Sequence, residues 1–459
     1  MTRFALTRVV LVGSLIVAAS GCSSSSSPVA TGSGGVAGGG SGGSGSGGSP
    51  PASGGSSGSG GSGGNGGSTV GSGGAVVTDA GNDVTADTTS DTAFSGFGGV
   101  LPDVTADGDG DRTIGPTYKR DPLLSFQNGV PKGRMINFTM TGAQSQIYKG
   151  VNGAYNRSVS VYVPMQYVPG TPAPFIVTQD AMGTDTVPPA LDNLIAMNKM
   201  PKLVVLFVQN GGGDAMGSER GLEYDTVSGL FATFVIKEVL PRAITEVKNQ
   251  LQIDLAFTDD PNGHGTFGGS SGGAASFSMA WWHPDLFRRV LTYSGTFVSQ
   301  VPAGAPFPHG CWVYHDIDPH FVDPMADPAH GLIVQQCEPK TGADKGSDNP
   351  GPCDTPLTQA DCQTAGCVWN TTVNKPIRVW LESADGDLGT PGHLLDVKYG
   401  PIEYRDFNLA NIRMALSMKT RGYHYHYDHA LGAGHVDGNV VGQTLAEALQ
   451  WVWRGYPVN

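Results

Sequence analysis

The stretch "GTFGGSSGGAASF", Gly265 to Phe277, gives five of its thirteen positions to glycine and sets two serines side by side between two Gly-Gly pairs. The residues before it read as a strand, and those after it, "AASFSMAWW", as a helix of small residues. A sharp strand-to-helix turn forces two backbone segments together, so the positions two before and two after its central residue must be tiny. A serine mounted there stands clear of the sheet, where a base can take the proton of an otherwise poor nucleophile. The G-x-S-x-G demand is met twice, by Gly268 and Gly272 around Ser270 and by Gly269 and Gly273 around Ser271. The pattern alone does not choose between them.

Around this turn, apolar runs mark strands at Ser158 to Pro164, Pro174 to Asp180, Lys202 to Gln209, Arg289 to Gly295, Pro376 to Ser383 and Tyr423 to His429. Several are nearly continuous, as strands covered on both faces are. Helical patterns fall between them at Val187 to Met200, Asp225 to Leu240 with Pro241 closing it, Tyr404 to Thr420 and Thr444 to Trp453. Strand alternating with helix predicts an α/β fold, a mostly parallel sheet with helices on both faces. The stretch 301–372 breaks the rhythm. It is rich in Pro, Asp and Gly, holds Cys311, Cys337, Cys353, Cys362 and Cys367, and reads as a Cys-rich insertion. Five cysteines allow at most two disulfides there. His309, Cys311, His315 and His320 lie close together but match no standard zinc spacing, so no metal or cofactor is expected.

The chain starts with Arg3 and Arg8, an apolar run from Val9 to Ala19, and small residues before Cys22. That run is too short for a permanent span and reads as a secretory signal. Ala19-Ser20-Gly21-Cys22 resembles the lipobox of bacterial lipoproteins, whose cysteine is lipidated after cleavage. Residues 1–22 are therefore expected to be a lipoprotein signal peptide ending at a lipidated Cys22, anchoring the protein to a membrane of the cell envelope. Ser23 points to the outer membrane. Residues 23–116 read as a tether, Gly and Ser to about Gly74 and then Asp, Thr and Gly, too poor in apolar surface to offset the entropy of ordering. "DGDGD", Asp107 to Asp111, alternates carboxylates as a calcium loop does, but Arg112 and Tyr118 stand where that loop needs Gly and Glu. Residues 117–459 gather the aromatic residues and are long enough for one large core. The net charge of −13 is spread over a chain with 15% charged residues, which offers nucleic acid no basic surface.

From about Gly133 to the C-terminus, apart from the insertion, the chain resembles the alpha/beta-hydrolase "putative esterase" family that includes esterase D and enterochelin esterase. The resemblance is carried by "QDAMG" (Gln179 to Gly183), "EYDTVSGLFATFVIKEVLP" (Glu223 to Pro241), "GGSSGGAASFSMAWWHPDLFRRVLTYSGTF" (Gly268 to Phe297), "GAGH" (Gly432 to His435) and the ending "EALQWVWRGYP". In that family the nucleophile is followed by x-Gly-Gly, with a Pro-Asp/Glu-x-Phe turn a fixed distance on. Ser271-Gly272-Gly273 and Pro284 then assign the role to Ser270, with Ser271 second. The fold's order is serine, acid, histidine. His435, in a glycine-flanked loop, is the expected base, while His424 and His426 alternate with Tyr423, Tyr425 and Tyr427 as strand residues do, and His429 is a further candidate. The acid, which would fix the imidazole tautomer, is Asp385 or Asp387, and the family's N-D-L step in this loop favours Asp387. The oxyanion needs two backbone N–H donors: that of Ser271, and that of Ala181 or Met182, where the family has Gly at 181.

Together these readings imply an exported, lipid-anchored serine hydrolase that splits a small carboxylic ester through an acyl-enzyme, without a cofactor. The resemblance implies siderophore esters, acylated saccharides or small acyl thiols as substrates and does not choose among them. An acyltransferase acting on a sugar acceptor and a non-catalytic surface binding protein are the alternatives.

Overall fold

The structure, a computed structural model, describes residues 109–214, 218–226, 228–297, 336–338, 348, 359–370, 374–387 and 407–458. All fall in the unit Thr89–Asn459. The signal segment, Cys22, the tether up to residue 108, Cys311, Cys353 and the histidines beside Cys311 lie outside the described residues.

Nine strands form one sheet among the described residues: β1 (Gly110–Ile114), β2 (Arg134–Thr141), β3 (Asn156–Val163), β4 (Phe175–Gln179), β5 (Val204–Val208), β6 (His264–Gly269), β7 (Arg289–Tyr293), β8 (Arg378–Gly386) and β9 (His424–Gly434). Their order across the sheet is β1-β9-β8-β7-β6-β4-β5-β3-β2. Pairing is parallel from β1 through β5, and antiparallel where β3 joins β5 and β2 joins β3. Helices α1 (Val187–Ala196), α2 (Glu219–Tyr224), α3 (Leu230–Phe234), α4 (Leu240–Leu251), α5 (Ser271–Trp282), α6 (Gln359–Thr364), α7 (Phe407–Arg421) and α8 (Gly438–Trp453) follow or interrupt these strands. This is the α/β-hydrolase arrangement, with β1 added at one edge.

The apolar runs are strands because both faces are covered. β4, β5 and β7 are buried at every position. Side chains alternate between faces: Val177, Leu206 and Val290 join Phe234, Phe277 and Met414 in one core, and Ile176, Val205 and Leu291 join Leu191 and Leu449 in the other. Each such fully buried side chain contributes about 2 kcal/mol. After β4 the chain steps outward to β5, then returns to place β6 on the other side of β4. The crevice above the carboxyl ends of strands at such a reversal is where an open parallel sheet holds its ligand.

Two expectations are corrected. Pro241 does not close the helix before it: α3 runs through a π-helical turn at Val235–Val239 into α4, with Pro241 in the first turn of α4. Proline lacks an N–H and crowds the carbonyl four residues back, and the wider π turn gives that crowding room. The domain also starts before Thr117. β1 lies inside the stretch read as tether and pairs with β9. Asp109 accepts from Trp451 Nε1 at 2.9 Å and meets His424 Nδ1 at 3.2 Å. Against the upward push of burial, the His424 bond and the nearby Arg378 charge hold its carboxyl below the ordinary value. Asp111 accepts from Tyr425 Oη at 2.9 Å, and Arg112 forks onto the buried Asp428 at 2.7 and 3.0 Å. Asp109 and Asp111 of "DGDGD" are thus partners of side chains some 300 residues further on in the chain, a relation composition cannot carry.

In the insertion, Cys337 and Cys362 form a disulfide and Cys367 is disulfide-bonded as well. Strands Gln336–Glu338 and Val368–Asn370 pair antiparallel beside them. No helix among the described residues is long and apolar enough to cross a membrane, and no group of three or more His, Cys, Asp and Glu there could hold a metal ion.

A chain starting at Thr117 removes β1 and leaves Asp428 buried without its guanidinium. It should melt about 5 °C or more below a chain starting at Thr105, which keeps the strand. Equal melting temperatures in a thermal scan would show that β1 adds nothing to the fold.

Candidate active site

At the end of β6 the chain turns into α5 through Ser270, whose φ of 56° and ψ of −132° are far from any ordinary side-chain-bearing conformation. The glycines explain how the turn is possible. A Cβ on Gly268 would overlap the Gly272 carbonyl, and one on Gly272 would sit 3.0 Å from Gln179 Cβ. All four glycines are hemmed in, and the bracketing pair that meets across the turn, Gly268 and Gly272, stands around Ser270. The Ser270 N–H donates to the Tyr293 carbonyl at 3.0 Å, and its own carbonyl accepts from Thr296 N at 3.0 Å. Ser270 Oγ, half-buried, lies 3.4 Å from Thr296 Oγ1. Ser271 differs in kind. It opens α5 and is 2% exposed, with its hydroxyl near the carboxylate of Asp225. Burial pushes Asp225 up to about 7, against the pull of that hydroxyl and of the Arg220 charge.

Asp387, at the end of β8, and His435, just past β9, meet directly: Asp387 Oδ1 is 2.5 Å from His435 Nδ1. A carboxylate only accepts, so Nδ1 carries the proton and Nε2 is left to face outward. Asp387 is fully buried, and the His435 side chain is 21% exposed with the edge of the Phe407 ring 5.0 Å away. The residue after His435 ties the loop to the elbow. Val436 N donates to Ser294 Oγ at 2.9 Å, and a Cβ on Gly269 would lie 2.9 Å from Val436 Cγ1. Asp385, the other candidate acid, faces away and accepts from Gly432 N at 2.8 Å.

The other histidines have structural partners. His426 stacks on Trp380 at 3.9 Å and reaches Asp428 at 3.0 Å, His424 binds Asp109, and His429 stacks on Tyr427.

The turn after β4 runs Gln179-Asp180-Ala181-Met182 and closes with Met182 N donating to the Gln179 carbonyl at 3.0 Å. Asp180 and Ala181 both have positive φ, 54° and 50°, the signature of a type I′ turn. Ala181 N donates to Val208 O at 3.2 Å, toward β5, on the side of β4 away from β6. Met182 stands on the β6 side, with its Sδ 3.1 Å from a Cβ on Gly269. Of the two amides named from the sequence, Ala181's is turned away from the elbow. Gln179 fixes the turn to α5 by accepting from Ser276 Oγ at 2.6 Å.

Sequence reasoning missed Arg220, Asp225, Thr296, Phe407 and Glu382 at this site. Asp225 and Thr296 lay within quoted motifs, and nothing marked either as facing the elbow. Glu382 is completely buried on β8. Burial first, then the charges of Asp387 and Asp428, hold its carboxyl well above the ordinary range.

By its sheet order the chain has the α/β-hydrolase fold, with the serine turn and the acid-histidine pair at the carboxyl ends of its strands. Residues 154–341 match the family described as "Putative esterase", the family the chain resembles in sequence. The match takes in Ser270 and the Gln179–Met182 turn and ends before Asp387 and His435. Among solved structures, the chain is similar to the enterobactin esterase of Shigella flexneri (15% identity, 72% of this chain and 60% of that one, TM-score 0.41). It is also similar to a CE1 ferulic acid esterase of the anaerobic fungus Anaeromyces mucronatus (12% identity, 74% and 98%, TM-score 0.43). The chain thus spans less than two thirds of the enterobactin esterase and nearly all of the fungal enzyme. No curated protein is significantly similar to it in sequence.

The raised Glu382 carboxyl makes stability depend on pH with a fixed sign. Above the unfolded-state value, the unfolded chain releases a proton that the native state keeps, so stability falls as pH rises toward the native value. Glu382→Gln removes that dependence. The variant should melt higher than the parent by about 2 °C or more at pH 8 and show a smaller gap at pH 4.5. A gap independent of pH in differential scanning calorimetry would mean that Glu382 is ionised in the fold.

Proposed function

We propose that the protein hydrolyses small carboxylic esters through an acyl-enzyme on Ser270, with His435 as base and Asp387 as the acid that orients it. The observation that carries this reading is the Asp387–His435 hydrogen bond, held by Val436 against the turn that presents Ser270. His435 Nε2 takes the Ser270 proton as Oγ attacks the ester carbonyl carbon, and Asp387 stabilises the imidazolium that forms. The tetrahedral oxyanion is met by the N–H of Ser271 and by that of Met182, which shares its turn bond. When the carbon–oxygen bond to the leaving alcohol breaks, His435 returns the proton to that alcohol. Water then repeats the sequence: His435 takes its proton, hydroxide adds to the acyl carbon, and collapse frees the carboxylic acid and restores the Ser270 hydroxyl. The same reading keeps Cys22 as a lipid anchor that holds this domain at the cell envelope on its Gly/Ser tether.

Ser270→Ala should lower kcat on a p-nitrophenyl ester by about four to six orders of magnitude. Ser271→Ala, which keeps its backbone N–H, should cost less than about tenfold. Asp387→Asn should lose about 10⁴-fold in kcat through the wrong imidazole tautomer, and Asp385→Asn should stay near the parent. An active Ser270→Ala, or an Asp385→Asn loss exceeding that of Asp387→Asn, would overturn the assignment.

A further inference from the structure

The Gln179–Met182 turn is strained in a way that calls for support. Two consecutive non-glycine residues hold positive φ there, a conformation that persists only where the surroundings over-determine it. The surroundings here are largely one short helix. Arg220 on α2 forks onto Asp180, with Nη2 2.8 Å from Oδ2 and Nε 3.1 and 3.2 Å from the two oxygens. Asp180 N donates to Tyr224 Oη, on the same helix, at 3.2 Å, and Asn210 Nδ2 completes the hold on Oδ1 at 2.6 Å. A Cβ on Gly272 would lie 3.5 Å from Asp180 Oδ2, so this carboxylate stands beside the first turn of α5.

We propose that α2 acts as a brace for the Met182 side of the oxyanion hole, with Arg220 as the positioning residue that holds the turn carrying Met182. The brace rests on the acyl-enzyme reading above. Its electrostatic side follows from the same contacts. An oxyanion forming beside this turn would meet the Asp180 carboxylate, and the Arg220 guanidinium, 11% exposed and bonded to it, offsets that charge. Its remaining nitrogen, Nη1, bonds the Asp214 carbonyl at 2.8 Å and the Asp214 carboxylate at 3.2 Å, so the guanidinium is fixed on all sides.

A brace of transition-state donors leaves a specific kinetic mark. Arg220→Gln should lower kcat on a p-nitrophenyl ester by about 10- to 100-fold with KM held within about twofold. A phenylboronic acid, which forms a tetrahedral adduct with an active serine, should lose affinity by the same factor. Arg220→Lys, which keeps the charge and loses the fork, should fall between Arg220→Gln and the parent, and it carries the test if Arg220→Gln does not fold. A kcat and boronate affinity that stay at the parent values, or a loss confined to KM, would overturn the brace. An inert Ser270→Ala beside a fully active Arg220→Gln removes the brace alone, whereas an active Ser270→Ala removes the acyl-enzyme reading and the brace with it.

Discussion

How closely two backbones approach at the end of β6 sets the terms for everything else at this site. Gly268 and Gly272 have no side chains because each would collide with the other's segment or with Gln179, and that approach forces Ser270 into its positive φ. The same approach lets Val436 and Met182 touch the elbow from opposite sides through the space left by Gly269. One steric constraint thus brings the serine, the histidine loop and the Met182 turn within reach of one another, at the place where the order of the parallel strands reverses. A side chain at any of these glycines would separate the partners before it altered their chemistry.

The second organising feature is how negative charge is handled. Asp387, Glu382 and Asp428 lie buried on neighbouring strands behind His435. They coexist because each is managed differently. Asp387 has the His435 imidazole, Asp428 has Arg112 and His426, and burial beside those two charges favours the proton on Glu382. On the other flank, Asp180 is paired with Arg220. β1 belongs to this balance as much as to the sheet, since it delivers Arg112. An edge strand that looks dispensable in sequence therefore supports the acid side of the site from behind.

What the sequence made legible follows from where the information is local. β4, β5 and β7 were readable because strands covered on both faces are apolar at every position. The serine turn was readable because its steric demand falls on residues within two positions. Ser270 and Ser271 both satisfy that local pattern, and Gly268 and Gly272, the bracketing pair that meets across the turn, stand around Ser270. β1 was unreadable because "GDRTI" is short and charged, and what holds it is an arginine fork onto a carboxylate 316 residues away. Pro241 misled because a proline's cost depends on whether the preceding turn can widen. Ala181 was named with Met182 as an oxyanion donor because the motif fixes the turn but not which way each amide points. Arg220 carried no signal, being one arginine on a six-residue helix whose role lies in what it spans.

The central claim is that Ser270, and not its neighbour, is the residue made nucleophilic by the His435–Asp387 pair. Treating the protein with a fluorophosphonate and mapping the adduct by tandem mass spectrometry of the peptide spanning Gly265 to Trp282 tests it directly. The account predicts one phosphonyl group per chain, on Ser270, with labelling abolished in His435→Ala. An adduct on Ser271, or a protein that remains unlabelled, would contradict it.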